Sequence, residues 1–272
     1  ALHILQAMTP PADELNRATW ALFLTQAKYK CFVEQSDSLV NVAYDYFMKG
    51  DDAQRKALVL YLKGGLLDER NQVDKALPYF LQASEEITLT EDYLLAYLIY
   101  SQTGRLYLYR KLYEYSTLYF EKANQYVLLT SEPSYIVDSY NNLARNAISQ
   151  QKQQLAIEYY DKAIEVGRRY NEHESTTHSQ IEKIGIYTRM RDYQSALNIS
   201  KQIEINHLDM PGYQVLGHLY SKTDQIDSAY YYLNKAIKQG DIYVQRSAYQ
   251  VLFNLSKKQK DYEKNAEYSV KL

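Results

Sequence analysis

Cysteine occurs once in the 272 residues, at Cys31. No disulfide can form within the chain, and no cysteine-based metal cluster can be built. Cys31 reads as a small core residue. Glycine and proline are sparse, 9 and 5, which suits helices joined by short turns. No apolar run approaches the roughly 18 residues of a membrane span. Basic residues are not in excess: 31 Lys and Arg stand against 33 Asp and Glu, for a net charge of −2. Nothing is left over to neutralise phosphates, so a nucleic-acid partner is not expected. Gly64-Gly65 lacks the further glycines and the Lys-Ser/Thr of a phosphate loop, and no G-x-S-x-G is present. Carboxylates sit beside lysines, as in Glu121-Lys122 and Asp161-Lys162, the pattern of a solvated helix face. His173 and His178 lie five apart in NEHESTTH, not in H-E-x-x-H spacing, so no metal site is expected there. With no catalytic constellation and no cofactor motif, the chain does not read as an enzyme.

What the chain does have is tyrosine, 30 against 6 Phe and 1 Trp, and a repeat. The clearest copy is Tyr213 to Ala236. Number it so that Tyr213 is position 4, Leu216 position 7, Gly217 position 8 and Tyr220 position 11; Ala229, Leu233 and Ala236 are then 20, 24 and 27. Upstream copies carry Tyr187, Ala196, Ser200 and Ile203; Tyr140, Ala144, Ala156, Tyr160 and Ala163; Tyr100, Gly104, Ser116, Phe120 and Ala123; and Leu60, Gly64, Ala76, Phe80 and Ala83. Degenerate copies hold Leu24, Cys31, Val40, Tyr44 and Phe47, and Tyr249, Leu252 and Tyr262. Small residues at 8, 20 and 27 let helix backbones approach, and large ones at 4, 7, 11 and 24 fill the gaps. The repeat accounts for 11 of the 30 tyrosines as packing residues; Tyr230 to Tyr232 read as exposed and sticky. Asp209 caps a helix with Pro211 in its first turn, and Asn71 and Asp224 fall in turns. Pro78 lies inside a second helix, where it bends the helix or frees a carbonyl.

These spacings resemble the tetratricopeptide repeat family. The resemblance implies an all-α fold, a right-handed α-solenoid of stacked antiparallel helix pairs with about six to seven repeats. The units read as a partial second helix over 1–12, then 13–50, 51–88, 89–128, 129–169, 170–207, 208–240 and a partial 241–272, forming one array. Several units run to 40 residues, with the extra length expected at the front of the first helix.

In the family the first helices line a concave groove, chiefly through positions 2, 5, 9, 12 and 13. Carried over, this selects Tyr61, Arg105, Tyr109, Asn141, Asn142, Arg145, Arg189, His218 and Lys222 as candidate peptide-binding residues. Arg105 and Arg145 occupy the same position in adjacent units, and Asn142 precedes Arg145 by about one helical turn. The partner expected is a protein or peptide segment with acidic residues or a free carboxylate. The long, tyrosine-rich units resemble the sensory part of bacterial membrane-anchored repeat regulators. That implies a periplasmic or membrane-anchored protein, with a cytoplasmic receptor for a small signalling peptide as the alternative. Both ends of the chain read as cut, so any membrane contact belongs to regions outside it.

Overall fold

The computed structural model describes all 272 residues. It is helical throughout, in fifteen α-helices and two short 3-10 turns. The chain divides into two compact units, Ala1–Glu132 and Pro133–Leu272. The first holds α1 (Leu2–Ala7), α2 (Glu14–Lys30), α3 (Ser38–Phe47), α4 (Ala53–Glu69), α5 (Val73–Glu86), α6 (Tyr93–Tyr109) and α7 (Tyr113–Val127). The second holds α8 (Pro133–Ser149), α9 (Gln153–Tyr170), α10 (His173–Met190), α11 (Tyr193–Ser200), α12 (Met210–Lys222), α13 (Ile226–Gln239), α14 (Ile242–Gln259) and α15 (Tyr262–Val270). From α2 onward, consecutive helices pair into hairpins, and each hairpin packs on the next within its unit. No helix is long and apolar enough to cross a membrane.

The packing within each hairpin follows the small-against-large rule. A Cβ on Gly64 would meet the Phe80 ring at 3.1 Å, one on Gly104 the Phe120 ring at 2.8 Å, and one on Gly217 the Leu233 side chain at 2.6 Å. Position 8 of the first helix therefore seats position 24 of the second. In the second unit Ala144 takes the place of the glycine, packed with Ala147, Ala156, Ile157, Tyr160 and Ile186. Ala156 is fully buried. Ala156→Leu should overpack this contact and cost roughly 1–3 kcal/mol; an unchanged denaturation midpoint would overturn the register.

Turn chemistry differs from the usual one. No glycine has positive φ. The left-handed residue between paired helices is Asn71, Lys111, Gln151, Arg191, Asp224 or Lys260. Glycines are used at helix crossings instead. Asp13, Asp52, Asp92, Asp192, Asp209, Asp241 and Asp261 cap helices by accepting backbone N–H bonds. First helices α4, α6 and α8 have 17 residues against 13 in α12. The surplus lies at their N-termini, adding about 6 Å, one turn, rather than the six residues of the longer repeat. Pro78 stays within α5, which continues to Glu86.

Two expectations are corrected. Cys31 is exposed at the C-terminus of α2 rather than in the core. The left-handed residue of this hairpin is Phe32, which puts Leu24 at position 7, three residues from the sequence register. The degenerate first repeat lacks the small–large pair that fixes the frame. Tyr230 to Tyr232 are also not one exposed patch. Only Tyr231 is exposed, while Tyr232 stacks on Tyr220 at 5.3 Å.

The tyrosine excess has a packing cause that the repeat positions alone miss. Tyr79, Tyr119, Tyr159 and Tyr232 all stand at position 23. Tyr107 stacks on Tyr119 at 5.3 Å and on Tyr115 at 5.2 Å, and Tyr100 on Tyr126 at 5.3 Å. Lysines cover several of these rings: Lys122 lies over Tyr100 and Tyr119, Lys162 over Tyr140 and Tyr159, and Lys63 over Tyr44 at 3.8 Å. Burial, reinforced by neighbouring tyrosines, pushes the Tyr100 and Tyr268 hydroxyls up to about 12, and burial moves Tyr160 further still. A phenol raised above its unfolded value favours the folded state fully below that value. The contribution is lost as pH rises from about 10 through about 12. Alkaline titration should therefore show cooperative loss of helicity in that window. Tyrosinate absorbance from the buried rings should appear with unfolding and not before it.

Candidate functional site

In the first unit the first helices α2, α4 and α6 share one face. Tyr61, at position 5, is buried and packs edge-on against Tyr29 of α2 at 5.9 Å. It closes the seam between helices instead of facing a ligand. Arg105 is half-buried on α6. It forms an ion pair with Asp68 of α4, donates to Gln102 Oε1 at 2.8 Å, and lies 5.3 Å from the Tyr109 ring. Tyr109 is exposed. Arg105 is thus held by its own neighbours. A separate depression of about 360 Å³ lies where α2, α4 and α6 meet, with Phe23, Leu58, Leu94 and Leu98 on its walls and Arg55 and Asp92 among its polar residues.

In the second unit the first helices α8, α10, α12 and α14 pack side by side. Asn141 is buried, and its Oδ1 accepts from Ser179 Oγ of α10 at 2.8 Å. Like Tyr61, it holds two helices together. Asn142 is half-buried. Arg145 is exposed, and its Nη2 donates to Nε2 of His178. The always-protonated guanidinium fixes that imidazole nitrogen as the acceptor. Asp138 acts on Arg145 at longer range. Desolvation raises the Asp138 carboxyl above its ordinary range, while Arg145 and then His178 pull it back. Arg189 is exposed one helix further on. Burial and then Glu182 raise the Tyr160 hydroxyl, while Arg145 and then Arg189 oppose them. That hydroxyl is buried without a hydrogen-bond partner.

His218, Ser221 and Lys222 of α12 line a hollow of about 180 Å³ with Asn254 and Lys258 of α14. These are groove positions of two consecutive repeats brought to one concavity. Burial, then the nearby Lys222 charge, lowers the His218 pKa, so this histidine is neutral near pH 7. Lys258 is paired with Asp224, and Lys222 is exposed.

Sequence reasoning missed one feature. A hollow of about 470 Å³ at the other end of these helices carries the carboxylates Asp138, Glu174 and Asp209, with His178 and His207. Asp138 and His178 stand at groove position 2 and Asn141 at position 5, whereas Glu174, His207 and Asp209 come from a helix start and from the segment after α11, outside the groove positions. The second-unit face is thus acidic at the N-terminal ends of its first helices and basic at their C-terminal ends. That order complements the helix dipoles.

Residues 137–166 and 211–239 match the model of the tetratricopeptide repeat. Among solved structures, the apo form of RapI superposes with a TM-score of 0.71 at 15% identity, covering 95% of this chain and 86% of that one. A signal transduction ATPase with a tetratricopeptide repeat sensor, from Pyrococcus horikoshii, gives 0.69 at 16% identity over 98% of this chain and 41% of that one. Aspartyl phosphate phosphatase F from Bacillus subtilis gives 0.62 at 14% identity, with 99% and 85% covered. At these identities the likeness is one of fold. A search of curated proteins by sequence found no match.

Proposed function

We propose, from the premise that this chain is a helical-repeat protein of the tetratricopeptide type, that it is a non-enzymatic module that captures an extended protein or peptide segment on its first-helix face. The observation that carries this reading is the 180 Å³ hollow, where groove positions of α12 and α14 converge. Arg189 and Lys222 stand at position 13 of successive first helices, and Arg145 stands about one turn earlier, at position 9, on the first helix before them. They present exposed cations on three successive first helices, with Asn142 as an amide for the peptide backbone. The segment they suit carries acidic residues or a free carboxylate. A neighbour in fold is named a phosphatase, but likeness at 14% identity extends to fold and transfers no activity.

The module serves as the sensory or scaffolding part of a larger regulatory protein, anchored through segments outside this chain. A cytoplasmic receptor for a small signalling peptide is the second reading, and the same face serves both. The test is a peptide array of matched acidic, neutral and basic sequences, with and without a C-terminal carboxylate, at several salt concentrations. Acidic or free-carboxylate peptides should be retained, and retention should fall as salt rises. Preference for basic peptides would overturn the assignment of the cationic edge. Capture from envelope and cytosolic extracts, followed by peptide mapping, separates the two cellular roles.

A further inference from the structure

The fifth hairpin is irregular. Its second helix α11 has only eight residues, and a loop with a 3-10 turn, Ile205–His207, replaces the rest. That loop returns to the first turn of α10. There His173 Nδ1 lies 3.1 Å from Glu204 Oε2, and His207 Nε2 lies 3.7 Å from the same oxygen. The two imidazoles stack with centroids 5.3 Å apart and planes 15° apart. One ligand atom from each of the three residues falls within 4.8 Å of the other two.

We infer that His173, Glu204 and His207 form a binding site for a divalent transition-metal ion of the zinc class. Zinc bonds to nitrogen and oxygen are about 2.0–2.2 Å long, and a tetrahedral arrangement then sets ligand atoms roughly 3.4 Å apart. The two measured edges, 3.1 and 3.7 Å, bracket that spacing. The third edge closes by rotation of side chains that are partly in water, with exposures of 48%, 57% and 33% for His173, Glu204 and His207. Two imidazoles and one carboxylate suit zinc, cobalt or nickel far better than magnesium or calcium. A bound cation would give the Glu204 carboxylate a counter-charge and engage a nitrogen of each imidazole. The ion would clamp the loop that stands in for the missing half of α11 onto α10. His207 also lines the 470 Å³ hollow, so the site adjoins that cavity. The sequence did not show this, because the partners of His173 lie 31 and 34 residues downstream.

The experiment is calorimetric titration of the full chain with zinc chloride, with thermal melts in zinc, magnesium and calcium. Cobalt absorption reports the geometry. One saturable zinc site is expected, with a rise in melting temperature that magnesium and calcium do not give and a tetrahedral cobalt spectrum. His207→Ala and Glu204→Gln should each weaken zinc binding by more than roughly tenfold. His3→Ala, which removes a histidine near the chain start, should leave it unchanged. Absence of saturable binding would overturn the site, as would affinity that survives Glu204→Gln and His207→Ala. Circular dichroism confirms that each variant is folded, and the isosteric Glu204→Gln decides if His207→Ala is not.

Discussion

Gly217→Val lowers the stability of the chain by about 3 kcal/mol, the upper end of the cost of overpacking a close helix contact. A Cβ at this position would lie 2.6 Å from Leu233 Cγ and 2.8 Å from Leu233 Cδ2. Those atoms can yield, since a leucine side chain rotates. The third neighbour cannot: the backbone nitrogen of Leu233 is 3.1 Å away. The hairpin must therefore open at its crossing point, which exposes the fully buried Leu233 and Ala236. Gly185 supplies the control. It also sits within a first helix, but its Cβ would meet only Arg189 Nη1, at 3.5 Å. Gly185→Ala should gain up to about 1 kcal/mol from helix propensity alone. Urea denaturation of the two variants separates packing from propensity. Equal and small effects would mean that position 8 does not seat position 24. A double variant, Gly217→Ala with Leu233→Ala, should be less destabilised than its single effects sum to, because the second change vacates the space the first one needs.

That contact also shows why so much of the fold was legible. The pairs Gly64 with Phe80, Gly104 with Phe120 and Gly217 with Leu233 each place a residue without a side chain sixteen positions before a large one. A hairpin is the geometry that brings such pairs together repeatedly, so the spacing reads directly as architecture. The frame was lost where the pair is missing. In the first hairpin Thr25 is buried where the glycine stands elsewhere, and Cys31 slipped from an expected core position to the exposed end of α2. The binding face was read less well, for a different reason. Position numbers say which way a residue leaves its own helix, not how closely the next helix lies. Tyr61 and Asn141 leave in the expected direction and meet a neighbouring first helix. The carboxylates Glu174 and Asp209 come from the extended helix start and from an irregular loop, and no repeat position describes either.

Arg145→Glu combined with Arg189→Glu reduces capture of an acidic peptide by on the order of a hundredfold and barely moves the melting temperature. Both residues are exposed, and they stand on the adjacent first helices α8 and α10 of the second unit. Arg145 rests against an imidazole rather than a carboxylate. Reversal there removes a weakly committed cation, and Asp138 is the principal new repulsion. Arg105→Glu behaves in the opposite way. It sets a new carboxylate against Asp68, whose partner it has removed, in a half-buried setting. Its melting temperature should fall, and any loss of capture is then partly a loss of fold. The comparison distinguishes a binding cation from a structural one by which observable moves. The salt dependence adds a second reading: retention of the acidic peptide by the doubly reversed variant should no longer decline as ionic strength rises, because the attraction being screened has gone. Undiminished capture by the folded double variant would move the binding surface away from these helix ends. The hollow carrying Asp138, Glu174 and Asp209 would then be the place to look, and a cationic segment its partner.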